Sequence, residues 1–362
     1  MRKKPVMIKQ MLKLNQFVYI FLFLLLPAIL FASSQKTKLI FLNWPGYIHP
    51  DVISSFEKQF DIDVHEVFYE TDELKEEILL ANDAKGFDVM VGSGITMVQY
   101  LKRRWIDPIK PQDIPNISKI KQKFQNFHPA LKNYAVPYLW GTLGIGYRKD
   151  KIIHSVTSWG DLFKPRSYLR GKILMINDSK DTIGAALKLG GHSFNSKELT
   201  HYNEVFHILQ YQKSYVKDYS YVDISEKSQL LTGEIWMAMM YNGDALALKQ
   251  KNSNIAFCNP KEGTNLWVDY LAVMAASKHK KLARAFINHI QSPKNAALIS
   301  MKLKYATPND AAEVHMPKSH LENTIIFPSE EILEKSEVFC PLPPNIIKKR
   351  NNIFMSVIHG KH

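Results

Sequence analysis

Acidic and aromatic side chains share the ends of several strand-like runs in this chain. In "LWVDYLAV", Leu266 to Val273, Trp267 and Asp269 stand two residues apart, so on a strand both side chains point to one face. A buried carboxylate without a partner costs several kcal/mol. Asp269 therefore needs either a basic residue of the chain or a cation from outside it. The same association recurs elsewhere. Trp44 closes "KLIFLNW", with Tyr47 just past a Pro-Gly turn, and Ser93 closes "FDVMVGS" between Gly92 and Gly94. Asp178 closes "KILMIND", with Asp181 three residues on, and Tyr241 closes "IWMAMMY", followed by Asp244 in "NGD". Each has an ordinary use when taken alone: Asp178, Asp181 and Asp244 as helix caps and first-turn acids, Trp44 and Tyr241 as core. As a set they make a chemical pattern. Carboxylates accept charge-strengthened hydrogen bonds from ammonium groups, while aromatic faces attract cations and pack against methylenes. A linear alkyl amine with two or more positive charges has both features. An anion site would show arginine, lysine or glycine-rich nests at these positions, and a sugar site a mixture of donors and acceptors.

Such residues have to be placed by the elements that precede them. Strand patterns at 38–44, 62–69, 87–93, 172–178, 235–241, "IAFCNP" and "WVDYLAVMA" alternate with helix patterns at 49–60, after a Thr71 cap, in "TIGAALKLGG", at 198–215, in "DALALKQK" and at 280–291. Alternation of this kind predicts an α/β fold with mostly parallel sheets, in which ligands bind outside the carboxyl ends of the strands. The acids and aromatics fall at those ends.

Composition sets the outer bounds. A chain of 362 residues with 46% hydrophobic and 11% aromatic content is globular and long enough for two domains. Arg2, Lys3, Lys4, Lys9 and Lys13 precede "FVYIFLFLLLPAILF", and Ala32-Ser33-Ser34 follow, which predicts a cleaved signal peptide over residues 1–34. Its apolar core is short for a membrane span, and no cysteine follows for a lipid anchor, so the mature chain is expected to be soluble and exported. Without those five basic residues 42 basic face 34 acidic, a net of +8, and no basic helix or arginine stripe points to nucleic acid. Cys258 and Cys340 could form one disulfide or stay free. No G-x-S-x-G, P-loop or G-x-G-x-x-G pattern occurs, so no enzyme is expected. No histidine joins the strand-end set, and His201 and His207 lie on different faces of one helix, so neither a metal nor a cofactor is expected.

At these residues the chain resembles the spermidine/putrescine-binding periplasmic proteins, the substrate-capturing components of polyamine ABC transporters. The resemblance runs from about residue 38 to about 312, through "NWPGY", "FDVMVGS", "VPYLWGTLGIGYR", "SVTSWGDLF", "GEIWMAMMYNGDA", "PKEGTNLWVDYLAV" and "YATPN" in the family's order. It implies a two-lobed periplasmic-binding-protein fold of type II with the ligand between lobes. Lobe 1 would comprise 35–143 plus 269–313 and lobe 2 would comprise 144–268 plus 314–362, with crossings near 143, 268 and 313. It further implies that Trp44 and Tyr47 form an aromatic wall and Ser93 a polar contact. Asp178 and Asp181 would be second-lobe acids, Tyr241 would stand where the family commonly has Trp, and Trp267, Asp269 and Tyr305 would match the family's residues. On that basis Asp269 pairs with a ligand amine. Gly46 and Ile95 depart from the spermidine-type pattern, which tends to have an acid and an aromatic there, while Asp244 adds a carboxylate as putrescine-type relatives do; the balance leans toward a diamine. The implied partners are a polyamine and an inner-membrane ABC permease, with the protein a periplasmic monomer that does not bind nucleic acid. The competing readings are a same-fold binder of a metal or other small cation, and a polyamine-sensing interaction protein.

Overall fold

The computed structural model describes residues 36–360; the expected signal segment lies outside them. Among the described residues nine strands form the scaffold: β1 (Thr37–Asn43), β2 (Ile62–Phe68), β3 (Val89–Ser93), β4 (Ala135–Arg148), β5 (Ile173–Met175), β6 (Val216–Tyr219), β7 (Met237–Tyr241), β8 (Ile255–Cys258) and β9 (Leu266–Val273). They run in the order β2-β1-β3-β9-β4-β7-β5-β6, with β8 pairing β4 off that path. β1 is parallel to β2 and β3, and β5 is parallel to β6 and β7, as strand–helix alternation requires. The antiparallel pairs all involve β4 or β9, the strands that join the two halves.

β4 belongs to both halves. Its residues 135–142 pair with β9, and residues 143–148 pair with β7 and β8. Two cores follow from that division. Phe41, Phe56, Tyr69, Val91, Tyr270 and Phe286 are buried in the first. Leu143, Trp159, Ile173, Phe194, Tyr202 and Met239 are buried in the second. Periodicity alone does not show β4 as a strand, because Pro137 and three glycines interrupt it. The structure gives these glycines a steric role: a Cβ at Gly144 would lie 2.4 Å from the Cys258 carbonyl oxygen, and one at Gly146 would lie 1.9 Å from Met240 Sδ.

Three backbone segments pass between the cores side by side. Leu143 N–H donates to the Asn265 carbonyl, Leu266 N–H donates to the Glu337 carbonyl, and Glu337 N–H donates to the Thr264 carbonyl. The passages lie at 143, 264–266 and 337. Ile325 and Ile326 are buried in the first core with Phe327 against it, so the chain leaves that core only after them. Phe339, Ile346, Ile353 and Val357 then join the second core, the last three from helix α5 (Pro344–His359).

Four further helices frame the strand ends. α1 (Asp72–Ala81) is capped by Thr71, whose hydroxyl accepts from Leu74 N–H at 3.1 Å, and α2 (Gly94–Lys102) starts directly after β3. α3 (Ser179–Leu189) starts after the short β5 segment, and α4 (Asn242–Lys251) directly after β7. Among the described residues no helix is long and apolar enough to cross a membrane. Cys258 and Cys340 are both free thiols.

Candidate ligand-binding site

Strand register sets the first half of the site. In the antiparallel β3–β9 ladder Ser93 lies opposite Asp269, so the last residue of one strand faces the acid of the other. Tyr47 reaches the same point from the β1 loop, and its hydroxyl donates to Asp269 Oδ2 at 2.8 Å. Gly46, with φ of 67°, and Pro45 before it make the turn that brings Tyr47 back toward Trp44. A Cβ at position 46 would meet no atom within 4 Å, but any side chain there would strain the backbone at that φ. Tyr47 is held from behind by Tyr138, whose hydroxyl donates to the Tyr47 carbonyl at 2.7 Å and whose ring meets it edge-on at 5.7 Å. Trp44 packs on Tyr69 with ring centroids 4.4 Å apart. The Ser93 hydroxyl lies 3.2 Å from that of Thr96.

The second half is built at helix N-termini. Asp178 caps α3: its Oδ1 accepts from the backbone N–H of Lys180 at 2.6 Å and of Asp181 at 3.2 Å. One of its oxygens therefore serves the helix, while Oδ2 lies 3.8 Å from the Lys180 ammonium. Asp181 is fully buried, accepting from the Tyr241 hydroxyl at 2.6 Å and from the Asn265 amide at 3.3 Å. Asp244 lies in the first turn of α4 and has no hydrogen-bond or ion-pair partner among the described residues.

Aromatic rings close the space between these acids. Trp267 meets Tyr305 edge-on at 4.8 Å and Tyr241 at 6.3 Å, and Tyr305 meets Tyr47 at 6.2 Å. Trp267 Nε1 is buried without a hydrogen-bond partner. Tyr305, packed on the first core, crosses to the second half at Gly243, where a Cβ would lie 2.1 Å from its Cε1. Gly141 makes a similar space for Trp267, at 2.4 Å.

Electrostatics follow from this enclosure. Burial pushes Asp269 up to about 6, against the Tyr47 hydrogen bond and the Lys75 charge, which pull it down. Burial and the neighbouring Asp178 charge push Asp181 up to about 6, and burial alone pushes Asp244 up to about 7. Burial also raises the phenols of Tyr47, Tyr241 and Tyr305 well above their ordinary value, so each stays a donor. None of Asp181, Asp244 and Asp269 forms an ion pair with a lysine or arginine among the described residues: Asp181 and Asp269 are held by neutral donors, with the Lys180 charge, and for Asp269 that of Lys75, acting from beyond ion-pair contact, and Asp244 has no donor. All three stand in surroundings that disfavour their charge. A cation entering between them would relieve that cost, and one with a methylene chain would fit the ring faces.

The structure thus brings Tyr47, Ser93, Asp269, Tyr305, Trp267, Tyr241 and Asp181 into linked contacts across both cores, with Asp244 near Tyr305 but in none of these contacts, while Asp178 serves as a helix cap. It adds groups that strand-end reading passed over. Tyr69 follows β2 at a strand end like the others and was legible on the same rule, whereas Asn265 gives no signal before its strand is paired. Lys75 sits in "DELKEEILL", which reads as a solvated helix face.

Comparison with known proteins agrees with this architecture. The chain is similar to the spermidine/putrescine-binding periplasmic protein of Escherichia coli (strain K12), 29% identical over 312 residues covering 84% of this chain and 87% of that one. It is also similar to the putrescine-binding periplasmic protein PotF of the same organism, 28% identical over 91% of this chain and 93% of that one. Among solved structures it superposes on a spermidine/putrescine ABC transporter substrate-binding protein from Streptococcus pneumoniae with a TM-score of 0.82 at 23% identity, covering 89% of this chain and 98% of that one. The two cores joined by adjacent crossing segments are the two lobes of the type II periplasmic-binding-protein fold. Residues 51–320 match the bacterial extracellular solute-binding protein family, and the chain belongs to that family.

Proposed function

We propose that this chain is the exported substrate-binding protein of a polyamine ABC transporter, capturing a linear polyamine between its lobes and presenting it to a membrane permease. The observation that carries this reading is the gathering of Asp181 and Asp269 with Tyr47, Tyr241, Trp267 and Tyr305, and of Asp244 near Tyr305, with no lysine or arginine in ion-pair contact with any of the three acids among the described residues. The names of the relatives, which bind spermidine or putrescine in the periplasm, agree with that chemistry. Trp44 and Ser93 complete the first-lobe wall, and Asp178 adds negative charge through Oδ2, the oxygen not used by the helix cap. The protein acts as a binder with no catalytic step: the aspartates receive the ammonium groups and the rings sort ligands by methylene length.

Putrescine has six heavy atoms, so the best attainable affinity is about −9 kcal/mol, a Kd on the order of 10⁻⁷ M. A thermal melt of the full chain with putrescine, cadaverine, spermidine and spermine at millimolar concentration should rise by several degrees for at least one of them. No rise with any of the four refutes the reading.

A further inference from the structure

One charged residue beside this site is unlike the rest. Lys75, on α1, is fully buried, whereas the lysine of an ordinary i,i+3 surface pair lies in solvent. Its ammonium bonds Asp72 Oδ1 at 2.5 Å. That is its one hydrogen bond among the described residues, for a group with three protons to place. The remaining surface of the ammonium is aromatic: it lies 4.8 Å from the Tyr69 ring centre, 5.8 Å from Trp44 and 6.0 Å from Tyr100. It also presses against the floor of the site. A Cβ at Gly92 would lie 3.1 Å from Nζ, and Gly92 directly precedes Ser93, the residue opposite Asp269. The residues around it therefore make a cation seat of rings, a carboxylate and a glycine gap, and the chain's own ammonium occupies it.

We propose that Lys75 is a specificity-determining residue: its ammonium is a built-in cation at the Trp44 end of the cleft, which excludes a third ligand ammonium and restricts the site to diamines. This rests on the polyamine reading above. A ligand with two ammonium groups can use Asp269 in one lobe and Asp181 in the other. A longer triamine extended toward Trp44 brings its third charge against one that cannot move to solvent. Asp72 matters in the opposite sense, since it neutralises part of the Lys75 charge.

Calorimetric titration of the full chain with putrescine and with spermidine tests this in wild type, Lys75→Met, Lys75→Arg and Asp72→Asn. Wild type should bind putrescine more tightly. Lys75→Met keeps the length and removes the charge, so the affinity ratio of spermidine to putrescine should rise tenfold or more. Lys75→Arg should keep the wild-type ratio, and Asp72→Asn should move it further toward putrescine. A ratio unmoved in Lys75→Met, or both amines weakened in parallel, overturns the proposal and leaves Lys75 a structural ion pair. If Lys75→Met does not fold, an unmoved ratio in Asp72→Asn overturns it instead. Binding of neither amine by wild type overturns the polyamine reading itself, a separate and distinguishable failure.

Discussion

Replacing Asp269 by asparagine should weaken diamine binding by about 2 kcal/mol or more, roughly thirtyfold, while leaving the empty protein as stable as wild type or more so. The two halves of that expectation come from the same geometry. Asparagine keeps the oxygen that accepts from Tyr47, so the hydrogen bond at 2.8 Å has a replacement acceptor. What it removes is a charge that burial already disfavours in the ligand-free state, since Asp269 is pushed up to about 6. The charge has value only when an ammonium stands beside it. Titration calorimetry and a thermal melt on the same sample separate the outcomes. Asp83→Asn, at an exposed carboxylate paired with Lys85, serves as the control and should change neither. If Asp269→Asn loses stability and keeps affinity, the carboxylate is a structural acceptor for Tyr47 and nothing more.

The second large effect is on pH. An ammonium pairs with an ionised acid, and the cleft acids titrate above the ordinary carboxylate range, at about 6 for Asp181 and Asp269 and about 7 for Asp244. Affinity should be full near pH 8 and fall as pH drops through 7 toward 5. At pH 5 a carboxyl with a pKa of about 6 is ionised roughly one time in eleven, so two of them reduce affinity about a hundredfold, and Asp244 adds to the loss. The stability of the empty protein has the opposite sign. These acids hold protons more tightly folded than unfolded, so their contribution is present below the unfolded value of 3.8 and is lost as pH rises through about 6 to 7. The melting increment given by ligand should therefore be larger at pH 8 than at pH 5. Affinity that stays level from pH 8 to pH 5 would show that these carboxylates do not receive the amine.

Much of the site could be read before the fold because two rules coincide in this sequence. Parallel α/β strands deliver their last residues to one edge, and here those residues are acids and rings. Register then does the rest, as when Ser93 comes to face Asp269. What stayed hidden depends on tertiary approach. β4 reads as a broken segment because Gly144 and Gly146 stand where a side chain would collide with Cys258 and Met240. The return of the chain at 337 gives no signal either, because Ile325 and Ile326, which keep it against the first core, lie in a stretch with no periodicity. Lys75 was missed for the plainest reason. Among Glu73, Glu76 and Glu77 a lysine looks solvated, and only the position of Trp44, Tyr69 and Tyr100 shows that it points inward.

If the cleft selects charge on both ends of a short chain, three ligands of equal size will separate on it. Putrescine, pentylamine and 1,4-butanediol each have six heavy atoms and carry two, one and no positive charges. Calorimetric titration of the full chain at pH 8 should give affinities in that order, with at least tenfold between putrescine and pentylamine and no measurable heat for the diol. Pentylamine or the diol binding as tightly as putrescine would contradict the account, because the aromatic rings alone, and not Asp181, Asp244 and Asp269, would then be holding the ligand.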